Sequence, residues 1–368
     1  MRVVSLALRD FRSYHDVEVS FGDGLTVVAG PNGAGKTNLL EGLYFGCIGR
    51  SYRTANEREV VHFGAGATRV VVRSLGEDGP HEISVGFAPG QPKRLRVDGA
   101  PVERLIDSPA RPLVSVFLPD RLELIKGAPA LRRAHVDQFV AALWPGRSET
   151  RRAYAQSLAQ RNALIARIRS GRGSRESLSS WDAQLARHGI ALMADRDRAI
   201  AAIAEPAQRI GAALGLQSEL SVSYRPRSAA VEPEDLVREL SERVEQDVER
   251  GFTAHGPHRD ELAIRLGGRD LRAYGSQGQQ RVALLALLLA EREAILAHRG
   301  TAPVMLLDDV MSELDQLRRQ ALVDLLRTGS GQSVITTTDL EHVPGATEDG
   351  VARLTVQDGV VLEEAIAA

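Results

Sequence analysis

Eight consecutive residues near the N-terminus constrain the fold of this chain more than any other segment. They follow the apolar run Leu25–Ala29 and precede residues 38–41, which have the composition of a helix start. The eight are Gly30, Pro31, Asn32, Gly33, Ala34, Gly35, Lys36 and Thr37. A strand, a glycine-rich loop and a helix in direct succession are typical of an α/β fold.

The glycines at 30, 33 and 35 allow the loop backbone to curl so that its N–H groups point at one centre. The helix that follows adds roughly half a positive charge at its start, so the loop favours a phosphate group. We expect Lys36 to reach the β- and γ-phosphates of ATP, and the Thr37 hydroxyl to contact a bridging Mg²⁺ ion. A glycine-rich surface turn is the alternative. The flanking strand and helix weigh against it, as does the choice of lysine, which occupies only three of the 46 Lys and Arg positions.

A second motif lies 272 residues after Lys36, where the apolar run Val304–Leu307 ends at Asp308 and Asp309. That separation is too long for a compact GTPase or a small kinase. We expect Asp308 to hold the metal through water and Asp309 to face an attacking water. An ordinary strand end entering a turn would look similar, but the glycine-rich loop upstream favours a catalytic set of Lys36, Asp308 and Asp309.

A third motif, Ser276 with Gly278 and Gln280, is weak by itself, because small and amide residues are common at helix starts. Its simplest interpretation is an N-cap, with Ser276 capping a helix that runs to about Ala297. A hydroxyl at such a helix start can also approach a γ-phosphate. Because the chain's own loop already occupies one side of the nucleotide, the serine would then serve a second copy of the chain.

This arrangement resembles the ATP-binding-cassette (ABC) superfamily, in which a signature serine closes on nucleotide held by the opposite subunit. Asp315 resembles the D-loop aspartate of that superfamily, which lies across the dimer seam. The resemblance implies a nucleotide-binding set made of residues 30–37, Asn38, Arg53, Ser276, Gly278, Gln280 and Asp315.

Several segments narrow the resemblance to one branch. Residues 6–14 and 17–21 resemble the branch that contains SMC, Rad50 and RecF proteins rather than the transporters. Segments that resemble the RecF family in particular are residues 33–41, 51–54, 117–127 with Arg132 and Arg133, 256–260, 276–281 and 307–315. The match spans nearly the whole chain. It implies an ABC-type P-loop ATPase head with a mixed sheet, a β-rich subdomain and an inserted α-helical arm.

The same resemblance implies an ATP-dependent homodimer that binds duplex, gapped or junction DNA. Slow, DNA-stimulated hydrolysis of ATP, with Mg²⁺ as cofactor, would release the DNA. A RecR-type mediator would be a partner, and RecA loading in recombinational repair the downstream result. No membrane partner is implied.

Three positions depart from the family pattern. Asp120 stands where a glutamate is expected, so its predicted place beside Thr37 and Asp308 at the metal rests on a shorter carboxylate. Asp309 is one methylene shorter than the usual catalytic glutamate, and Thr337, Thr338 and Asp339 stand where a switch histidine is expected. Because losing one positioned polar contact commonly costs ~10²-fold in rate, we expect slow hydrolysis.

Periodicity predicts how the chain divides. Alternating residues at 68–75, 81–87 and 93–97, with a hairpin-like Asp98–Gly99, indicate a strand-rich region. Helical spacing follows: Tyr154, Leu158, Ile165 and Ile168 share one face, and Trp181, Leu185, Leu192 and Ile203 begin another after a possible capping box at 179–182. We therefore predict a discontinuous head of residues 1–120 and 250–368, with a hairpin arm at 121–249.

The net charge of −2 hides an uneven distribution: residues 121–175 carry twelve basic and three acidic residues, whereas 231–250 carry three basic and eight acidic ones. A basic arm would attract DNA phosphates. With 4% aromatic residues, base stacking is a poor candidate for the main contact, and a duplex or junction backbone is favoured. The candidate contacts are Arg147, Arg151, Arg152, Arg161, Arg167 and Arg169. The alternative is a solvated helix face whose arginines pair with the acidic segment.

Other residues fit a cytoplasmic protein. The single cysteine excludes a disulfide within the monomer, and Cys47 has apolar neighbours typical of a core position. No apolar run is long enough to span a bilayer, no secretion signal opens the chain, and no paired Cys or His spacing indicates a metal site. The turn formed by residues 258–260 is as consistent with a buried hydrogen-bonded turn as with a ligand contact.

Two functional alternatives remain open at this point. A transporter ATPase would couple to membrane domains, but residues 11–14, the long helical insert and the missing switch histidine weigh against it. A scaffold that binds ATP without turnover is the other, and only phosphate release over hours separates it from an ATPase. Arg53 likewise has two interpretations, a nucleotide contact, which the family resemblance favours, or an ion pair with a carboxylate.

Overall fold

The structure is a computed structural model that describes residues 1–118 and 122–364. Asp120, predicted as a metal ligand, lies outside the described residues. One compact unit holds the described part of Met1–Arg121 with Ala213–Gly215 and Ile295–Ala368, and the other holds Leu122–Ala212 with Leu216–Ala294. The first division adjoins the predicted boundary, whereas residues 250–294 have their contacts in the second unit. How these units correspond to functional domains stays a prediction.

The secondary structure of the described residues alternates between strand-rich and helical stretches. The strands are β1 Arg2–Phe11, β2 Tyr14–Ser20, β3 Leu25–Ala29, β4 Thr68–Gly76, β5 Gly79–Phe87, β6 Arg94–Val97, β7 Ala100–Pro101, β8 Val114–Phe117, β9 Leu220–Arg225, β10 Glu261–Leu266, β11 Arg269–Asp270, β12 Val304–Leu307, β13 Ser333–Thr337, β14 Ala352–Gln357 and β15 Val360–Glu364. The helices are α1 Lys36–Ile48, α2 Glu123–Lys126, α3 Pro129–Leu143, α4 Ser148–Arg169, α5 Leu178–Ala213, α6 Pro233–Ser241, α7 Val244–Arg250, α8 Leu271–Tyr274, α9 Gln277–Arg299 and α10 Gln316–Thr328.

The central sheet of the first unit has the order β15-β14-β3-β13-β12-β8 and is parallel except for the β14–β15 pair. Every residue of β3, β12 and β13 is buried, as expected for strands covered on both faces. Because β13 pairs with both β3 and β12, the carboxyl ends of these strands meet at one edge. The topology thus places the glycine-rich loop and Asp308 at the same edge, although 272 residues separate Lys36 from Asp308.

The second sheet of this unit is antiparallel, in the order β2-β1-β4-β5-β6-β7. Its predicted hairpin turn is present, with Asp98 and Gly99 both at positive φ. Helix α1 packs closely on this sheet: a Cβ atom at Gly42 would lie 2.6 Å from Leu8, and one at Gly46 would lie 2.4 Å from Val72. Cys47 is buried and free, as predicted, and burial raises the pKa of its thiol to about 12.

The second unit contains the predicted helical hairpin of α4 and α5. The apolar face of α4 is buried at Tyr154, Ile165 and Ile168, which pack with residues of α5. The predicted capping box at 179–182 is wrong, because α5 begins at Leu178 and the Ser174 hydroxyl instead accepts a hydrogen bond from the Glu176 amide in the preceding turn. The unit also holds the antiparallel sheet β11-β10-β9. Within the two described ranges of the chain, no helix is both long and apolar enough to cross a membrane.

Candidate functional site

The loop after β3 has the backbone geometry of an anion cradle. Gly30, Gly33 and Gly35 have φ values of 155°, 82° and 117°, the region that favours glycine. At Gly30 a Cβ atom would lie 2.2 Å from the Val356 carbonyl oxygen, so no side chain fits there. The Tyr14 hydroxyl donates to the Gly35 carbonyl at 3.0 Å, which fixes the loop from the neighbouring sheet.

Lys36 lies within this loop with 8% of its surface exposed. Its ammonium donates to the carbonyl oxygens of Gly30 (2.7 Å) and Pro31 (2.9 Å). Burial lowers the pKa of Lys36, while the charges of Asp309 and Asp308 oppose that shift. An ammonium held in the mouth of a backbone cradle, with two carboxylates nearby, is suited to bridge phosphate oxygens.

Asp308 is tied to the loop by two hydroxyl groups. Its Oδ1 accepts hydrogen bonds from Thr37 Oγ1 at 3.0 Å and from Thr336 Oγ1 at 2.7 Å. Burial raises the pKa of Asp308, and the hydrogen bonds from Thr336 and Thr37 oppose the rise. The sequence predicts the pairing of Thr37 with Asp308, but it gave no signal for Thr336, whose role depends on β13 lying between β3 and β12.

Asp309 has an unusual backbone for a non-glycine residue, with φ at 45°. Its amide donates to Thr336 Oγ1 at 2.8 Å. Ser312 Oγ donates to the Asp309 carbonyl at 2.8 Å and to its carboxylate at 2.9 Å. The chain therefore bends sharply after Asp308. Ser312 holds the Asp309 carboxylate, a role that the sequence analysis did not predict.

A buried carboxylate beside the loop was also missed. Glu41 is fully buried and accepts from Arg12 Nε (2.9 Å) and Nη2 (2.7 Å), Ser51 Oγ (2.6 Å) and Arg53 Nη1 (3.1 Å). Arg53 Nη1 also donates to Asn38 Oδ1 at 2.8 Å. The ion-pair interpretation of Arg53 therefore holds in the structure, and its side chain is still 41% exposed on the surface beside the loop.

Ser276 forms the predicted N-cap as a reciprocal capping box. The Gln279 amide donates to Ser276 Oγ at 3.2 Å, and the Ser276 amide donates to Gln279 Oε1 at 2.9 Å. Ser276 is exposed, and a Cβ atom at Gly278 would have no neighbour within 4 Å in the part of the chain that the structure describes. Gln280 is only 2% exposed and its side-chain nitrogen donates to the carbonyls of Leu271 (3.0 Å) and Gly275 (3.1 Å). The expected nucleotide contact of Gln280 is therefore wrong, because its amide is buried in holding this turn.

Asp315 and Asp339 both cap local structure. Asp315 Oδ1 accepts from the Arg318 amide at 3.0 Å at the start of α10, and its side chain is 57% exposed. Asp339 Oδ1 accepts from the Glu341 amide at 3.0 Å, while Thr337 Oγ1 donates to the Asp339 carbonyl at 2.8 Å. The segment in the place of a switch histidine is thus an ordinary capped turn.

The predicted DNA contacts on the arm divide into two groups. Arg167 and Arg169 are exposed, and three other side chains are about half exposed beside a carboxylate: Arg147 by Asp195, Arg151 by Asp137, and Arg152 by Glu149. Arg161 is fully buried. The prediction for Arg161 is therefore wrong, since its guanidinium cannot reach a phosphate.

Arg161 instead joins a buried network. Its Nε donates to Asp182 at 2.6 Å, and its Nη1 donates to Asp247 and to Thr253, each at 2.7 Å. The sequence did carry a signal, because position 161 falls on the apolar face with Tyr154 and Ile165.

The turn at 258–260 joins several segments of the second unit, with Asp260 buried, His258 half-buried and Arg259 exposed. His258 Nδ1 and the Tyr154 hydroxyl lie 2.7 Å apart, and His258 Nε2 lies 2.9 Å from the Thr253 carbonyl. Burial lowers the pKa of His258 to about 4. Asp260 accepts from the Arg227 amide at 2.7 Å and pairs with Arg196 at 3.5 Å. These contacts support the hydrogen-bonded-turn interpretation.

The residues at the loop fit Mg²⁺ bound together with phosphate. Thr37 and Asp308 offer hard oxygen ligands 3.0 Å apart, the type that Mg²⁺ prefers. No group of three or more Asp, Glu, His or Cys side chains within residues 1–118 and 122–364 could hold a metal ion. The remaining ligands would therefore be phosphate oxygens and water, the usual situation for Mg²⁺ at nucleotides.

Comparisons with known proteins agree with this geometry. A family model described as an AAA domain matches residues 5–91. The chain is 38% identical over 372 residues to the DNA replication and repair protein RecF of Myxococcus xanthus, covering 98% of this chain and 97% of that protein. It is 37% identical over 348 residues to the protein of that name from Heliobacterium modesticaldum, covering 92% and 93%.

Solved structures extend the comparison to the fold. A structure of the recombination mediator protein RecF-ATPrS in the RecFOR pathway aligns with a TM-score of 0.85 at 27% identity, covering 99% of this chain and 98% of that one. An Smc head domain from Pyrococcus furiosus, with an extended coiled coil, aligns with a TM-score of 0.60 at 19% identity, covering 99% and 96%, and shares the fold alone. The predicted fold class is confirmed: an α/β ABC-type P-loop head with a mixed sheet and a helical arm.

Proposed function

Because the chain belongs to the RecF family of DNA replication and repair proteins, we propose that it is an ATP-dependent DNA-binding recombination mediator. In this proposal ATP joins two copies of the chain, the closed pair holds DNA at gaps or junctions, and slow hydrolysis releases it. The observation that carries the proposal is the hydroxyl–carboxylate pair of Thr37 and Asp308, 3.0 Å apart at the edge of the phosphate cradle. A pair of this kind is what a Mg²⁺–nucleotide site requires.

ATP binding rests on residues 30–38. The loop amides and Lys36 would hold the phosphates, and Thr37 and Asp308 would hold Mg²⁺, which neutralises phosphate charge when it is bound. Arg53, paired with Glu41 and Asn38, would extend toward the nucleotide with the exposed part of its side chain. A RecF-ATP structure among the solved relatives supports nucleotide binding in this family.

Pairing of two chains through nucleotide rests on the start of α9. Glycine is a poor helix former, costing about 1 kcal/mol relative to alanine in a helix interior, and no atom of residues 1–118 and 122–364 outside its own helix turn lies within 4 Å of the missing Cβ of Gly278. An absent side chain with open space around it is consistent with close approach by another molecule. Ser276 and Asp315 are both exposed, so each is available to nucleotide or protein from a second copy.

Slow hydrolysis follows from the residues around the attacking water. Asp309 would orient that water, but its carboxylate is shorter than glutamate and already accepts from Ser312 at 2.9 Å. No histidine stands at Thr337–Asp339 to add a second polar contact. Each missing contact of this type costs ~10²-fold in rate, so ATP would act as a timed clamp.

DNA binding would use the exposed arm arginines, Arg147, Arg151, Arg152, Arg167 and Arg169. Three of them lie beside carboxylates, so DNA would compete with ion pairs, of which only Arg152–Glu149 is exposed on both sides, whereas the side chains of Asp195 and Asp137 are buried. A RecR-type mediator as a partner, with RecA loading as the outcome, follows from the family, one of whose solved members is described as a mediator in the RecFOR pathway.

The two functional alternatives, a transporter ATPase and a scaffold that binds ATP without turnover, are distinguished by different observations. Membership of a DNA replication and repair family argues against a transporter ATPase. A scaffold that binds ATP without turnover keeps the same nucleotide site, and phosphate release followed over hours distinguishes it: a rate no higher than that of Lys36→Met would favour the scaffold.

Nucleotide-dependent sedimentation tests the proposal most directly. With a nonhydrolysable ATP analogue, the protein should sediment as a pair and carry duplex and gapped DNA with it, whereas without nucleotide it should do neither. Lys36→Met should abolish both effects, because its ammonium contacts the phosphates. The matched control is Lys126→Met, an exposed lysine outside the loop. Solitary particles under saturating analogue would contradict the proposal.

A further inference from the structure

A basic cavity on the three-stranded sheet of the second unit is not used by any step described above. The cavity has a volume of about 160 Å³ and is lined by Ile125, Arg132, Arg225, residues 261–265, Asp270 and Arg272. We propose that this surface, here called the arginine face and defined by Arg225, Arg265 and Arg272, binds the phosphodiester backbone of DNA. The inference rests on the proposed function and names a surface for it outside the arm helices.

The strand register creates the face. In β10 the side chains of Leu262 and Ile264 are buried, so Glu261, Ala263 and Arg265 share the opposite side. In β9, Arg225 pairs with Glu261 in register and belongs to that same side. The apolar side anchors the sheet in the core, and the small Ala263 side chain leaves the floor of the cavity open.

Both carboxylates of the cavity already accept hydrogen bonds from other groups of the protein. Glu261 accepts from Arg132 Nε at 2.6 Å and from Arg132 Nη2 at 3.1 Å, so this pair neutralises itself. Asp270 Oδ1 accepts from the Arg272 backbone amide at 2.8 Å and caps α8. No carboxylate among residues 1–118 and 122–364 forms an ion pair with the side chain of Arg225, Arg265 or Arg272.

Several other arginines of this unit do have carboxylate partners. Arg175 pairs with Glu245, Arg196 with Asp137, and Arg209 with Glu293. The cavity lining holds four arginines and two carboxylates, and Asp270 lies opposite Arg265 in the strand register. The excess of positive charge is repulsive at this spacing, and a bound anion would relieve that repulsion. The planar, forked guanidinium suits phosphate in particular, because it can donate two parallel hydrogen bonds.

The spacing favours a chain of phosphates. Arg225 is opposite Glu261, and Arg265 lies four residues further along β10, a distance of about 14 Å along the strand. A polymer that carries successive phosphates contacts both ends of such a surface more readily than one isolated anion does. Contacts of this kind set position and salt dependence rather than base sequence.

The test is the salt dependence of binding to a 30-base-pair duplex in the presence of a nonhydrolysable ATP analogue. The variant Arg225→Gln/Arg265→Gln should lower the slope of log affinity against log salt by about 2, roughly one for each lost phosphate contact. The matched control is Arg94→Gln/Arg96→Gln, which removes the same charge from two exposed arginines of β6 in the first unit. The control slope should equal that of the unchanged protein.

Four outcomes overturn the inference in different ways. A normal slope in the Arg225/Arg265 variant removes this surface from the DNA interface while leaving the proposed function intact. An equal fall in the control assigns the effect to net charge. Competition by polyglutamate that matches DNA charge for charge, and is lost in the variant, would assign the face to an acidic protein instead. Absence of DNA binding by the unchanged protein would overturn the proposed function and this inference together.

Discussion

At the scale of single residues, the position of the glycine-rich loop depends on Glu41, whose carboxylate is fully buried. Glu41 accepts from Arg12, Ser51 and Arg53, so its two oxygens are fully used. Arg12 comes from the end of the first antiparallel hairpin and Arg53 from the segment after α1. One buried side chain thus fixes both segments to the helix that carries Lys36.

We expect Glu41→Gln to lower the free energy of unfolding by about 1 to 3 kcal/mol, the range for losing hydrogen bonds to a buried charged group. The amide keeps one acceptor oxygen but presents two donors toward the guanidinium groups. Urea unfolding measures the effect. Glu77→Gln, at an exposed turn, is the control, and equal unfolding free energies for the two variants would contradict the structural role of Glu41.

The ionised carboxylate of Asp308, which the proposed function requires, destabilises the folded protein at neutral pH. Burial raises its pKa above that of the unfolded chain, so between the two pKa values the folded protein binds the extra proton. Stability therefore falls as pH rises through this range, and at neutral pH the ionised Asp308 opposes folding in the absence of nucleotide and metal.

It follows that Asp308→Asn should raise the midpoint of thermal unfolding at pH 7 without nucleotide, while abolishing Mg²⁺-dependent hydrolysis. The gain should shrink as the pH is lowered through the raised folded pKa of Asp308 toward the unfolded value of about 4, because the carboxyl group then becomes neutral in the folded protein. Calorimetry between pH 4 and 8 measures it, with Asp349→Asn at an exposed position as control. A lower midpoint at pH 7 would show that the carboxylate stabilises the fold.

Sequence reasoning succeeded at residues whose partners are implied by a motif and failed where the partner depends on the fold. Thr37 and Asp308 could be paired in advance, because each motif specifies a role at the same nucleotide. Thr336 and Glu41 could not, since their contacts depend on strand order and on how α1 packs. Gln280 was misassigned because its motif does not say whether the side chain points into the turn or out of it.

At the scale of elements, the arm is organised around a buried ion network rather than an entirely apolar seam. Arg161 of α4 meets Asp182 of α5 and Asp247 of α7, so one side chain joins three helices. The helical period predicted both long helices and their pairing. The role of Arg161 could not be predicted from its charge, which is typical of an exposed arginine. Its spacing from Tyr154 and Ile165, however, places it on the apolar face of the helix.

Removing this arginine should cost far more than removing an exposed one. Arg161→Met leaves two buried carboxylates without their cation, and we expect a loss of about 3 to 5 kcal/mol. Arg151→Met, at a side chain that is 58% exposed, should change stability by less than about 1 kcal/mol. Urea unfolding with amide hydrogen exchange in α4 and α5 measures both, and similar losses would contradict the special role of Arg161.

At the scale of the whole molecule, the chain interleaves its two compact units, since residues before and after the arm combine in the first. The turn at residues 276–280, here called the signature turn, and the glycine-rich loop at residues 30–37 belong to different units. The sequence predicts the interruption near residue 121 from the change of period. It does not predict that residues 250–294 have their contacts with the arm helices, because the return of strand patterning after 250 looks the same in either unit.

Two inactive variants should restore each other if the nucleotide lies between two chains. Lys36→Met lacks the loop ammonium but keeps Ser276, whereas Ser276→Arg keeps the loop but blocks the signature turn. A mixed pair has one complete site, built from the loop of the Ser276→Arg chain and the serine of the Lys36→Met chain. An equimolar mixture should therefore recover between roughly a quarter and a half of the normal turnover, as random or selective pairing predicts. Phosphate release measures the recovery, and each variant incubated alone at the same total concentration is the control. A mixture no more active than the sum of its parts would mean that Lys36 and Ser276 act on nucleotide within one chain.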